Sequence, residues 1–307
     1  MFSIKEFAKK RNKILFSRTT PALGDFLMHR MLFEDVKLLC PDSEVHFAIP
    51  KAYHDAVIDH PFIDKVIDSD KKIDESQYAV SYVNDMNCSM YEEKIAPLSD
   101  KHRSDIWAED SGFKLTRHKM HIRLTETEMD EGMSILSKYT KLVLIAPIST
   151  RTNMRALLGH QIVGLVQGIQ ERGMTPIGLH SNPIPEISNL GFPVLDKLNL
   201  RQLMSVVRFA DYIVSIDTGT FHCAGGMNKP VLGIFTSADG EVYGKYYPKF
   251  ELVQKHRNRD KDWTCGPCYR WPLCPKTEEP LKPCLTEITV EMMLKGFDRL
   301  TERFPTH

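Results

Sequence analysis

The chain has 307 residues, with 40 Lys plus Arg against 40 Asp plus Glu, so its formal charge is zero. That balance excludes a generic polyanion binder, whose non-specific affinity comes from an excess of Lys and Arg. The 42% hydrophobic and 26% charged residues are ordinary for a globular chain, and the length exceeds what one core usually serves, which predicts two domains.

No window approaches the roughly 18 consecutive apolar residues of a membrane span. Near the start, Lys5, Lys9, Lys10, Arg11 and Lys13 precede a short apolar run, Ile14 to Phe16. That run is too short for a signal-peptide core. The expected location is the cytoplasm, with peripheral attachment at the inner membrane face as the second option.

In chain order, Ile14 to Phe16 suits a buried strand, and the turn Thr19 to Asp25 follows, carrying Pro21 and Gly24. Phe26, Leu27, Met31, Leu32, Val36 and Leu39 recur at helical spacing. Val45, Phe47 and Ile49 alternate as a strand does; a short helix over 52–58, the pair Val66-Ile67 and a strand over 78–83 complete a β-α-β-α-β series. Such an order implies a parallel sheet with helices on its faces. From Cys88 to Arg123 the pattern is weak, with one or two helical turns over 104–109. A helix over 125–139 follows, capped by Thr125 or Thr127.

A second series begins at Leu142. Strands are predicted over 142–146, 176–179, 212–216 and 230–235, with helices over 156–172, 200–209 and 221–227. A final amphipathic helix covers 289–304. The prediction is therefore an α/β chain of two Rossmann-like domains facing a central cleft. Their bounds are 1–130, 131–288 with a Cys-rich loop over 265–284, and a terminal helix over 289–307.

The segment Tyr212 to Gly226 carries the strongest chemical signal. A buried strand there delivers Asp217-Thr218-Gly219-Thr220, and a helix starts at once. Free backbone N–H groups and the positive helix end then point at one place, which suits a phosphate or diphosphate. Thr218 offers a hydroxyl, Gly219 permits close backbone approach, and His222 lies one turn further on. The plainer reading is a helix capped by Asp217 or Thr218 with His222 on the surface. After the strand over 142–146, Ser149, Thr150, Arg151, Thr152, Asn153 and Arg155 bring hydroxyls and two guanidinium groups to the equivalent turn, a pattern suited to an anion. The alternative is a solvated turn. In the first domain, Gly24 and Asp25 occupy the matching turn. Asp25 is a candidate general base, although an acid in a first helical turn also simply stabilises the helix.

These residues carry a family resemblance. Gly24-Asp25 after the first strand, Asp217-Thr218-Gly219-x-x-His222-x-Ala224 after a late strand, and Lys229-Pro230 before an apolar strand resemble the heptosyltransferases, glycosyltransferase family nine. Pro41 to Val45 and His60 to Ile67 resemble first-domain segments of that family. The resemblance implies a GT-B fold and an inverting transfer from a nucleotide sugar, ADP-sugar foremost, without a catalytic divalent metal. It implies Asp25 as the base, and Thr150, Arg151, Arg155, Asp217, Thr218, Gly219 and His222 around the donor diphosphate. Arg155 stands where the family usually has Lys, and Phe235-Thr236-Ser237-Ala238 replaces the family's Phe-Gly-Pro-Thr. The acceptor is a hydroxyl of a glycan, a protein or a modified nucleic acid. A phage-type transfer to a modified DNA base and a non-catalytic sugar-nucleotide-binding module are the alternatives.

Two Asp-x-Asp patterns, Asp68-Ser69-Asp70 and Asp260-Lys261-Asp262, end no donor-domain strand and read as solvated charge. Four of the seven cysteines, Cys265, Cys268, Cys274 and Cys284, lie close together in sequence. Four thiolates suit tetrahedral zinc or an iron centre, with free thiols or disulfides as the alternatives. The set resembles the four-cysteine iron site of some autotransporter heptosyltransferases. Beside it, the basic run Lys255 to Lys261, with Trp263, Tyr269 and Trp271, reads as a surface for an anion or as a solvated loop.

Overall fold

The computed structural model describes residues 3–7, 12–98, 100–149, 155–255, 266–269, 274 and 282–306. It divides into two compact units, Met1–Lys94 with Lys101–Leu124, and Ile95–Asp100 with Thr125–His307.

In the first unit, β1 (Lys13–Ser17) leads into α1 (Leu23–His29) and α2 (Leu32–Leu39), followed by β2 (Glu44–Ile49), β3 (Lys65–Asp68) and β4 (Val80–Val83). The four strands are parallel in the order β3-β2-β1-β4. The chain reverses its lateral direction between β1 and β4, and the strand ends there open onto a ligand crevice in open α/β sheets. Helix α1 starts at Leu23, three residues before the periodic apolar run. Gly24 and Asp25 therefore lie inside its first turn. Two further helices, α3 (Asn87–Ile95) and α4 (Arg103–Asp110), fall where the sequence pattern was weak. The reason is the chemistry of their buried faces: α3 buries Cys88 and Glu92, and α4 buries Ser104 beside Ile106, Trp107 and Ala108. Partly polar inner faces produce no clear 3.6-residue hydrophobic period.

Arg30, at the end of α1, is fully buried and ties this unit together. Its guanidinium donates to the carbonyls of Ala56, Met120 and His121 and to both carboxylate oxygens of Asp59. The backbone carbonyl of Arg30 in turn accepts from His60 Nε2 at 2.9 Å, while Nδ1 of the same ring accepts from the Phe62 N–H at 3.2 Å. Both ring nitrogens are committed, one as donor and one as acceptor, so the neutral imidazole fits and the imidazolium does not.

The second unit opens with α5 (Glu126–Leu136), capped by Thr125 in a capping box with Glu128. Then come β5 (Leu142–Ala146), α6 (Gly159–Glu171), β6 (Thr175–Leu179), α7 (Pro185–Ser188), β7 (Val194–Leu195), α8 (Leu200–Phe209), β8 (Tyr212–Ile216), α9 (Gly219–Gly226), β9 (Val231–Phe235), α10 (Gly240–Gly244), β10 (Phe250–Gln254), α11 (Pro283–Thr286) and α12 (Val290–Arg303). The six strands are parallel in the order β10-β9-β8-β5-β6-β7. Its reversal lies between β5 and β8, the two strands whose following turns hold Arg155 and Asp217.

Helix α5 belongs to this unit because it lies on α8. Arg201 grips both carboxylate oxygens of Glu128 at 2.7 and 2.8 Å, and Gly132 leaves room for Ser205. Helix α12 buries Met293, Phe297 and Leu300 completely in the core, each worth roughly 1.5–3 kcal/mol of burial. Gly164 and Gly168 on α6 leave the space that Val290 and Leu294 fill.

The His60 arrangement gives a pH prediction. Burial, reinforced by the Arg30 guanidinium, lowers its pKa from 6.5 to about 2. The unfolded chain therefore binds a proton at His60 below about pH 6.5 that the folded chain refuses, and stability falls as pH is lowered through that window. His29, buried and held down to about 3, acts in the same direction. Urea midpoints of the wild type should fall between about pH 7 and about pH 4. The fall should be shallower in His60→Gln, by at most about 1.4 kcal/mol per pH unit; identical slopes would contradict the neutral buried ring.

Candidate functional site

Strand β8 is buried along its whole length and ends at Ile216, so the polar residues that follow are delivered to the edge of the sheet. Thr218 is the N-cap of α9, in extended backbone conformation, with no side-chain bond to the helix amides. Its hydroxyl lies 3.1 Å from Ser215 Oγ, which itself donates to the Ile216 carbonyl. The first-turn amides of α9 thus keep no side-chain cap from Thr218. Uncapped amides at the start of a helix suit an incoming anion.

Asp217 does not point at that position as a free acid. It is 7% exposed, and its Oδ2 pairs with Arg155 at 2.6 Å. The Asp217 carbonyl accepts from the same Arg155 nitrogen at 3.4 Å. His222 is also buried, at 2% exposure, and not on the surface. Its Nδ1 lies 2.6 Å from the Tyr247 hydroxyl and its Nε2 lies 3.7 Å from Asp217 Oδ1. The second unit therefore brings Arg155, Asp217, Thr218, Gly219 and His222 together at the switch point. Thr150 and Arg151 lie outside the described residues.

The loop after β9 is organised by a residue that sequence inspection did not single out. Gln254 donates to the carbonyls of Thr236 and Ala238 at 3.1 and 2.6 Å, and accepts from Gly240 N–H at 3.0 Å. Asp239 caps α10. Tyr269, in the cysteine region, is fastened to the same loop, its N–H donating to Ser237 and its hydroxyl accepting from Asp239 N–H.

In the first unit, Asp25 stands in the first turn of α1 and is 5% exposed. It is held between two guanidinium groups. Arg103 reaches Oδ1 at 2.7 Å, and Arg18 reaches Oδ2. Arg103 also grips both oxygens of buried Glu92, and Arg18 donates to the carbonyls of Asn84 and Asp85. Burial alone would raise the Asp25 carboxyl, but the charges of Arg103 and Arg18 outweigh it and hold it well below the usual range. A carboxylate so held is always ionised and weakly basic. Arg103 is 78 residues from Asp25 and lies in the weakly patterned region, while Arg18, only seven residues away, has no motif or periodic position that marks it as a partner. Nearby, Asp85 accepts from the backbone N–H groups of Thr19 and Thr20, both at 2.8 Å, which closes the turn after β1 onto the end of β4.

Asp68 and Asp70 are occupied by the backbone, accepting from Asp70 N–H and Lys51 N–H. Asp260 and Asp262 lie outside the described residues, as do Lys261, Trp263, Trp271 and residues 256–260. Of the four clustered cysteines, Cys265 also lies outside them. No described cysteine is in a disulfide. Cys274 is buried, and the buried Lys282 ammonium is pushed below its ordinary pKa by burial, against the opposing charges of Cys268, Cys284 and Cys274. Among the described residues no three His, Cys, Asp or Glu side chains form a group able to hold a metal ion. No described helix is long and apolar enough to cross a membrane.

The profile of glycosyltransferase family 9 (heptosyltransferase) matches residues 182–266, the stretch that contains β8, α9 and β9. No curated protein matches the chain in sequence. Among solved structures, the chain is similar to the ADP-heptose lipopolysaccharide heptosyltransferase II of E. coli, at 12% identity and a TM-score of 0.70 over 94% of this chain and 98% of that one. A family 9 glycosyltransferase from Veillonella parvula matches at 14% identity and a TM-score of 0.72, over 96% and 99%. The iron-containing dodecameric glycosyltransferase TibC of enterotoxigenic E. coli matches at 16% identity and 0.71, over 96% and 77%. The chain thus has the GT-B fold of these glycosyltransferases, and the stretch that the family 9 profile matches includes the turn between β8 and α9.

Proposed function

We propose that the chain is an inverting glycosyltransferase that moves a heptose-like sugar from a nucleoside diphosphate to an acceptor hydroxyl. The observation that carries this reading is the meeting of Arg155 with the uncapped first turn of α9 at the second unit's switch point. Two phosphates carry charge that grows as the sugar departs. Helix amides at Thr218 and Gly219, with the Arg155 guanidinium, stabilise that charge through groups already in place. They supply the role that a divalent metal plays in other glycosyltransferases, so the transfer runs metal-independently. ADP is the favoured nucleotide, because structurally similar heptosyltransferases are described in complex with ADP and ADP-heptose.

In this reading the acceptor oxygen attacks the anomeric carbon from the face opposite the diphosphate, and the bond to the leaving phosphate breaks. Asp25 takes the acceptor proton. Its clamp by Arg18 and Arg103 makes it a weak base, suited to late transfer, when the forming bond has made the hydroxyl strongly acidic. Thermal melting in the presence of ADP-, GDP-, UDP- and CDP-sugars tests the donor half, since a ligand bound only by the folded chain raises its melting temperature. ADP-sugar should give the largest shift. Asp25→Asn should keep that shift and lose roughly a hundredfold or more in turnover. An absent shift with every nucleotide sugar, or full turnover in the variant, would overturn the corresponding half.

A structural zinc or iron ion held by Cys265, Cys268, Cys274 and Cys284 completes the proposal. The close sequence spacing of the four cysteines supports a shared site, and four thiolates form a tetrahedral donor set. The ion would fasten the Pro-rich segment over 265–284, which has few apolar residues to fold around. Elemental analysis of the purified chain should find about one metal ion per chain, lost when Cys268 and Cys274 are both replaced by Ser; a metal-free, folded protein would contradict the site.

A further inference from the structure

Tyr247 lies outside every motif in the sequence, yet it is built into the base of the switch-point site. It is 5% exposed. Its ring stands against α9 so closely that a Cβ on Gly225 would lie 2.3 Å from the ring carbons. The same ring meets Phe221 edge-on at 5.4 Å between centroids. This packing leaves the hydroxyl one place to go, 2.6 Å from His222 Nδ1.

The direction of that hydrogen bond decides what His222 presents on its other side. A phenol O–H that donates to Nδ1 leaves the proton of a neutral imidazole on Nε2, which faces Asp217 Oδ1. The reverse arrangement would aim the Nε2 lone pair at a carboxylate, two negative ends in a buried place. Burial also raises the Tyr247 hydroxyl well above its ordinary pKa, which keeps its proton available. Asp217, held on the His222 side, holds Arg155 with its other oxygen at 2.6 Å.

We propose that Tyr247 is a positioning residue for the donor diphosphate, fixing His222 with Nε2–H toward Asp217 so that Asp217 holds Arg155 in place. The inference rests on the donor-site reading given above. It makes His222 a part of the support beneath the anion site and not a direct phosphate donor.

The test uses the full chain, ADP as the probe and the variants Tyr247→Phe and His222→Gln. Tyr247→Phe keeps the ring against Gly225 and Phe221 and removes only the hydroxyl. Three results are expected. The imidazole 15N signals, assigned to His222 by their absence in His222→Gln, should show protonated Nε2 in the wild type and a changed pattern in Tyr247→Phe. ADP affinity should weaken by roughly two- to tenfold in Tyr247→Phe, as for one lost hydrogen bond, with donor KM rising and kcat nearly unchanged. In the His222→Gln background, Tyr247→Phe should change ADP affinity no further, because the effect passes through the imidazole. A wild type that does not bind ADP overturns the donor-site reading and this role with it. A wild type that binds ADP, with unaltered His222 signals and unaltered affinity in Tyr247→Phe, overturns the positioning role alone.

Discussion

The second unit depends on one buried carboxylate. Asp217 follows β8, one of the two central strands of the sheet, and ties Arg155, which lies beyond the neighbouring strand β5, to the start of α9. A buried charge without a partner costs several kcal/mol, so the pair holds the two turns as a single element. The consequence is chemical as well as structural. A guanidinium is fixed beside a helix N-terminus, with Asp217 balancing its charge and orienting its donors.

The first unit solves a similar problem with the opposite balance. There a single carboxylate, Asp25, lies between two guanidinium groups, and Glu92 neutralises the second of them. The network lowers the basicity of Asp25 while fixing its orientation. Both units use the same architecture, a parallel sheet whose strand order reverses beside its first strand, with a polar turn at that reversal. They differ in what is placed there: one arginine paired with one carboxylate beside a helix start in the second unit, and an ionised acid restrained by two arginines in the first.

Much of this was legible in the sequence. The apolar runs at 14–16, 142–146 and 212–216 are strands buried on both faces, and such strands announce themselves as continuous hydrophobic stretches. Thr125 was readable as a cap because capping requires a short oxygen-bearing side chain at a fixed offset from Glu128. Helix α4 was legible only as one or two turns over 104–109 and α3 not at all, since Ser104 and Glu92 occupy inner positions where a periodic pattern needs apolar residues. For the site, the turn residues Asp217, Thr218 and Gly219 could be read from strand-turn-helix order. The residues that hold them could not. Arg103, Tyr247 and Gln254 act across 16 to 78 residues and Arg18 across seven, and their roles follow from where the fold puts them and not from any local motif. His222 shows the same limit in reverse: its spacing from Thr218 suggested an outward donor, whereas tertiary packing turned it inward onto Tyr247.

In the proposed reaction the first turn of α9 and Arg155 receive the donor diphosphate. Hydrogen–deuterium exchange of the full chain, with and without saturating ADP, tests it at the residues concerned. Slowed exchange at the amides of Gly219 and Thr220 is expected when ADP is bound, because phosphate oxygens accept there, at the start of the helix, whereas the Phe221 N–H already donates to the Thr218 carbonyl. Binding of ADP with unchanged exchange at those amides and protection elsewhere would contradict it.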